Sequence, residues 1–136
     1  MSYFVGVDYG SKRTGLAVGL GGGRFIMPLD TIETRGIPEW DAQAVLDHCR
    51  DYEVEAFVVG LPLNMDGTEG PQAKFTRAFG DRLSAASGTP VHYWDERLSS
   101  FAAEDTLRDE DLTRRLRRAK IDRLAAQIIL EGFLSQ

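Results

Sequence analysis

The chain predicts an α/β fold: a five-stranded mixed sheet with helices on both faces. Three observations predict it. Three short β-rich runs at the N-terminus are separated only by glycine-rich turns, which reads as an antiparallel meander. Apolar residues at helical spacing then alternate with further strand-like runs, the pattern that adds parallel strands to a sheet through helical connections. No linker, repeat or low-complexity stretch interrupts the 136 residues, so residues 1–136 are expected to form one domain around one core.

Tyr3 to Val7 reads as a central strand, because both of its faces are apolar or glycine. Gly10 to Gly15 reads as a turn, Leu16 to Leu20 as a second strand, Gly21 to Gly23 as another turn, and Phe25 to Leu29 as a third strand. Pro38 suits the first turn of a helix, and Ala42, Val45, Leu46 and Cys49 follow the i, i+3, i+4, i+7 spacing of a buried helical face. Ala56 to Gly60 is a fourth strand. A second helix starts near Pro71, with Phe75, Ala78, Phe79, Leu83 and Ala86 on its inner face, and Gly88 and Pro90 stop it. Val91 to Trp94 is a fifth strand. Ser99 or Ser100 can cap a short helix to about Arg108. Asp109 to Leu112 looks like a loop, and a last helix runs from about Ala119 to Leu134.

Composition narrows the function classes. The 43% hydrophobic and 27% charged fractions are those of an ordinary globular chain. A net charge of −5 and a pI near 5.0 argue against broad, non-specific nucleic-acid binding. Charge is unevenly spread, however. Arg114, Arg115, Arg117, Arg118, Lys120 and Arg123 crowd one stretch, and Lys12 and Arg13 form a smaller pair. Cys49 is the lone cysteine and cannot form an internal disulfide, which points to a reducing compartment. With no signal-peptide pattern and no apolar run of membrane-spanning length, a cytoplasmic protein without membrane contact is expected.

Three acids stand at the ends of separate apolar segments. Asp8 closes the first strand, Glu96 closes the fifth, and Asp122 opens the last helix. Carboxylates are costly to bury unless paired or bound to metal. Acids that converge at one edge of a sheet make a hard-cation site, and Mg²⁺ prefers such ligands. Each acid also has an ordinary role open to it: Asp8 as a turn cap, Glu96 as part of a solvated turn, Asp122 as an offset to a helix dipole. Asp95 and Glu96 are neighbours on a strand and point to opposite faces, so both should not reach one ion. Asp122 shares an inward face with Ala125, Ala126, Ile129 and Phe133, where a metal or an arginine would have to meet it. The loop Gly60 to Gly70 (GLPLNMDGTEG) follows a strand and is rich in hydrogen-bonding groups, including Asn64. His48 and His92 stand alone and read as structural or surface residues, and Cys49 as inert packing.

These motifs resemble the YqgF-type (RuvX) family, bacterial nuclease-like members of the ribonuclease H superfamily related to Holliday-junction resolvases. The resemblance rests on Asp8-Tyr9-Gly10 with the loop to Gly15, on GLPLNMDGTEG, on Asp95 to Ser99, and on Lys120-Ile121-Asp122 with Ala125 and Ala126. It spans almost the whole chain. Tyr9 stands where phenylalanine is frequent and Ser100 where threonine is, and Asp109 to Leu112 looks trimmed. The resemblance implies a ribonuclease H-like fold and a divalent-metal-dependent nuclease tied to 5′-end maturation of small-subunit (16S) ribosomal RNA. Asp8, Glu96 and Asp122 take the family's acidic positions.

The expected chemistry is phosphodiester hydrolysis with two Mg²⁺ or Mn²⁺ ions about 4 Å apart, held by Asp8, Glu96 and Asp122. Lys12, Arg13, Asn64, Arg97, Arg118 and Lys120 would bind substrate, chiefly through backbone phosphates. The expected partner is nucleic acid, either precursor rRNA, with ribosome-assembly particles, or branched DNA; monomer and homodimer both stay open. One alternative is a resolvase acting on branched DNA, and another is a non-catalytic RNA or ribosome-assembly factor. An ATP-using enzyme is a further rival, because Asp8, Gly10, Ser11 and Gly15 also resemble the first phosphate loop of the actin and sugar-kinase superfamily. That superfamily needs a second related domain, for which this chain has no room.

Overall fold

A computed structural model describes residues 2–22, 25–98 and 114–136, with the backbone alone over 114–121. The strands are β1 (Tyr3–Tyr9), β2 (Arg13–Leu20), β3 (Ile26–Glu33), β4 (Val54–Leu61) and β5 (Val91–Asp95). The helices are α1 (Pro38–His48), α2 (Pro71–Ser87) and α3 (Arg114–Leu134), with a single 3₁₀ turn at Glu96–Leu98. The expected helix from Ser99 or Ser100 to Arg108 and the loop at Asp109 to Leu112 lie outside the described residues.

The sheet order is β3-β2-β1-β4-β5. β1 pairs antiparallel with β2, and β2 with β3, whereas β1 with β4 and β4 with β5 are parallel. The meander and the mixed sheet are therefore as expected. The strands run longer than the apolar residues alone suggest. β2 begins at Arg13, inside the segment read as a turn, because Tyr9↔Thr14 and Asp8↔Gly15 are already paired. Thr14 is fully buried beneath its hydrogen bond to Thr34 (2.6 Å between hydroxyl oxygens), so the ladder extends through polar residues whose bonds are made internally.

Alternation along β1 divides the molecule into layers. Val5, Val7 and Tyr9 face α1 and α2 and join Leu16, Val18, Phe57 and Val59 with Val45, Phe79 and Leu83 in the larger core. The opposite face packs Ala17 and Val58 against Ala126, Ile129 and Leu130 of α3, with Phe4, Ile26, Trp94 and Phe133 at the margin. α3 can lie this close because Gly6 faces it. A Cβ there would come within 2.6 Å of the Ala126 carbonyl oxygen and 2.9 Å of the Leu130 Cβ.

Two helical expectations are corrected. In α2 the buried residues are Ala73, Thr76, Phe79, Gly80 and Leu83, while Ala78 and Ala86 are exposed. α2 packs against α1 as well as the sheet, and Gly80 leaves room for the Tyr93 ring. The last helix starts at Arg114, not near Ala119. Asp122 therefore sits in the third turn of α3, well past the first turn where a helix dipole would favour it. At the other boundary the expectation holds: Gly88 ends α2 in the left-handed region (φ 68°).

Candidate functional site

β1, β4 and β5 are parallel, so their carboxyl ends lie along one edge of the sheet. Asp8 is one residue beyond the Val7↔Val59 pair and so stands level with Gly60 on β4. Its partner on the other side is Gly15 of β2. Asp8 alternates with Phe4 and Gly6 and therefore faces α3. Two missing side chains flank it, and each gap is filled by another acid. A Cβ on Gly60 would come within 2.5 Å of Glu96 Oε1 and 2.7 Å of Glu96 Cγ, so the Glu96 side chain crosses β4 over this glycine. A Cβ on Gly15 would collide with the Asp122 carbonyl oxygen, so α3 crosses β2 there and carries Asp122 to the same edge.

The carboxyls of Asp8 and Glu96 are hydrogen-bonded to each other. A bond between two carboxyl groups needs one proton, and both groups are pushed above the ordinary carboxylate range. Burial is the larger cause for each; the neighbouring charges, Asp122 for Asp8 and Asp8 for Glu96, act in the same direction. The two titrate as a unit, with the proton belonging to the pair. Asp122 is met by Arg13, whose Nε donates to Oδ2 at 2.6 Å. Arg13 is thus a positively charged partner of the kind an inward acid requires.

This donor set suits a hard divalent cation. It consists of carboxylate oxygens alone, and two enclosed carboxyls in contact repel each other unless a proton or a cation lies between them. Among the described residues, no three His, Cys, Asp or Glu side chains stand close enough together to hold an ion as a group. Asp8 and Glu96 are in contact, whereas Asp122, within electrostatic reach of Asp8, is engaged by Arg13.

Asp95 and Glu96 diverge as strand geometry requires. Arg97 grips Asp95, with Nη2 to Oδ2 at 2.6 Å and Nε to Oδ1 and Oδ2 at 3.1 and 3.0 Å. Its Nη1 also donates to the Met65 carbonyl at 3.1 Å. Arg97 thus ties the loop after β4 to the end of β5. That loop is internally braced: Asn64 Nδ2 donates to Thr68 Oγ1 (3.0 Å), and Asp66 Oδ1 accepts from the Thr68 hydroxyl (2.6 Å) and amide (3.0 Å). Asn64, Lys12 and Arg97 are all exposed. Arg118 and Lys120 fall on α3, and their side chains lie outside the described residues. The lone histidines make surface contacts: His48 Nδ1 lies 2.8 Å from Asp30, and His92 stacks on Phe133. Cys49 is buried, which pushes its thiol up to about 12.

Sequence reasoning missed Gly15 and Gly60 as site residues. The signal was glycine inside a strand pattern, which marks close approach of other groups. It also missed Asp41, which is buried and accepts from the Tyr9 hydroxyl (2.5 Å) and the Arg35 and Gly36 amides (2.8 and 3.1 Å). No local pattern distinguished Asp41 from an exposed helix acid.

Comparison with known proteins identifies the family and the fold. A relative from Anaeromyxobacter dehalogenans, bearing the name "Putative pre-16S rRNA nuclease", is 49% identical over 132 residues, covering 97% of this chain and 96% of its own. Among solved structures, T. thermophilus RuvC in complex with a Holliday junction substrate superposes with a TM-score of 0.51 at 16% identity, covering 92% of each chain. The fowlpox virus Holliday junction resolvase gives 0.52 at 16% identity and 97% of each. At such identities these two structures establish the shared ribonuclease H-like fold alone. The family model for RuvX, described as Holliday junction resolvase, matches residues 2–136, and with the close relative this shows that the chain belongs to the RuvX family.

Proposed function

We propose that this protein is a divalent-metal-dependent nuclease that hydrolyses phosphodiester bonds in the precursor of 16S ribosomal RNA, toward its 5′ end. The observation that carries the reading is the Asp8–Glu96 contact, two carboxyls forced together at the carboxyl edge of three parallel strands with Asp122 beside them. Two carboxyls held in contact at a sheet edge are unfavourable unless a proton or a cation stands between them. The RNA substrate is supported by the name of the relative at 49% identity.

In this reading Asp8, Glu96 and Asp122 hold Mg²⁺ or Mn²⁺, with Asp8 central because it is flanked by the other two. When bound, such ions polarise a phosphoryl oxygen and lower the pKa of bound water, supplying a nucleophile near neutral pH. The chain's own part is positional. Gly15 and Gly60 let the acids approach, and burial removes competing water from Asp8 and Glu96. Lys12 presents a cation to the backbone phosphates from the turn beside Asp8, and Arg13, at the start of β2 against Asp122, can do so only when released from that carboxylate. Arg97 and Asn64 keep the adjoining loop in shape for substrate, and Arg118 and Lys120 are proposed as further phosphate contacts from α3.

Branched DNA is the second reading, favoured by the description of the family model. The deciding experiment incubates purified protein with precursor 16S rRNA and with a four-way DNA junction, each with Mg²⁺, Mn²⁺ or EDTA. Cleavage of the RNA with metal alone supports the proposal, and cleavage confined to the junction selects the second reading. Binding of RNA without cleavage under every condition would instead identify a non-catalytic factor. Asp8→Asn is expected to reduce cleavage to background while the circular dichroism spectrum stays that of the parent. Full activity in that variant would refute the assignment of the site.

A further inference from the structure

We infer that Arg13 is a stand-in cation for the metal at Asp122, so that metal binding and release of Arg13 are one coupled event. The inference rests on the metal-dependent reading above. Asp122 lies near Asp8 and adds to the negative charge there. Its side chain is only 18% exposed, and Arg13 Nε sits 2.6 Å from Oδ2. A carboxylate this enclosed near Asp8 needs a neutralising charge, and Arg13 supplies it.

The backbone around this pair cannot yield. Arg13 opens β2 two residues before Gly15, and Gly15 lies directly beneath the Asp122 carbonyl. α3 is thereby pinned to β2, and Asp122 has a short side chain with little reach. Arg13 is the movable member, since its side chain is long and 37% exposed at the sheet edge. A divalent ion drawn to Asp8 and Glu96 therefore competes with the guanidinium for Asp122. Once displaced, the guanidinium is free to take a backbone phosphate, whose geometry it matches. Substrate phosphate and metal would then reinforce each other's binding, because each removes the same competing contact.

The test measures Mn²⁺ binding to the full chain by the electron-spin resonance of unbound Mn²⁺, for the parent, Arg13→Met and Arg13→Lys. Arg13→Met is expected to bind Mn²⁺ about two- to fivefold more tightly, the range that a half-exposed ion pair supports. In the parent, the Nε–H resonance of Arg13, identified by its loss in Arg13→Met, is expected to move as Mg²⁺ is added. A purely structural ion pair would leave that resonance in place. Equal or weaker Mn²⁺ binding by Arg13→Met overturns the inference while leaving the nuclease reading intact. If the parent binds no Mn²⁺, the metal reading itself fails and this inference with it. Should Arg13→Met fail to fold, Arg13→Lys decides. Its point charge holds a carboxylate less well than the guanidinium fork, so a smaller gain in Mn²⁺ affinity supports the inference, and none refutes it.

Discussion

Tyr9 and Asp8 are neighbours with opposite duties, which follows from the period of a strand. Asp8 faces α3 and the candidate site, while Tyr9 turns into the larger core, where it stacks on Phe79 (centroids 4.1 Å apart, planes 7° apart). Its hydroxyl donates to Asp41, and both burial and this bond push the phenol well above its usual value. The bond anchors the start of α1 to β1, because Asp41 also holds the Arg35 and Gly36 amides. Tyr9→Phe keeps the ring but leaves a buried carboxylate with one fewer donor. It is expected to cost about 1–3 kcal/mol in denaturant unfolding, with cleavage changed far less than by Asp8→Asn. That tyrosine can stand where phenylalanine is frequent is explained by Asp41, a partner invisible in the local sequence.

Among the elements, α3 and the loop after β4 determine whether the three acids meet. α3 is located by glycines on the sheet, and Gly15 bears directly on Asp122. Gly15→Ala would drive a methyl into the Asp122 carbonyl, and α3 would have to lift. The expected result is a loss of about 1–3 kcal/mol in stability and a larger fractional loss of cleavage, since the displaced residue is a candidate ligand. Comparing unfolding curves with cleavage rates separates the two effects. Arg97 has a different signature. It is exposed and braces Asp95 and the loop, so Arg97→Ala should leave the melting temperature nearly unchanged while weakening RNA binding in a filter assay. Unchanged binding in that variant would show that the brace serves the fold alone.

For the molecule as a whole, the Asp8–Glu96 pair couples stability to pH and to metal. Both carboxyls titrate above their ordinary range, so without metal the folded protein keeps a proton that the unfolded chain gives up. The stabilisation is complete below the ordinary carboxylate range and is lost as pH rises through the raised values. The metal-free melting temperature is therefore expected to fall from about pH 4.5 to about pH 9, where Glu96 gives up its proton. Asp8→Asn should flatten that fall, because the pair no longer holds two negative charges. Mg²⁺ should raise the melting temperature most at the upper end, where no proton competes with it. Asp66, Glu69 and Asp95 are held below their usual range by hydrogen bonds and by Arg77 or Arg97, with the opposite dependence. Their lowered values place that dependence at more acid pH, and solvent screening keeps it small.

Much of this was legible in the residues. The glycine-rich meander, the helix at Pro38, the stop at Gly88 and the strand that starts at Val91 follow from local propensity and period, which act within a few residues and leave a mark on sequence. The three acids were legible too, as charges placed where apolar segments end. What the chain could not declare were distances across the sheet. Whether Glu96 reaches Asp8 depends on a glycine in the strand between them, and whether Asp122 faces a cation depends on where α3 begins and on Gly15 beneath it. Arg13 read as a phosphate contact, yet it lies against Asp122. Residues 13 and 122 share no local pattern, and only the crossing of α3 over β2 brings them within 2.6 Å. Strand and helix types are set by short-range sterics and hydrophobic period, whereas the pairing of charges is decided by which backbones can touch.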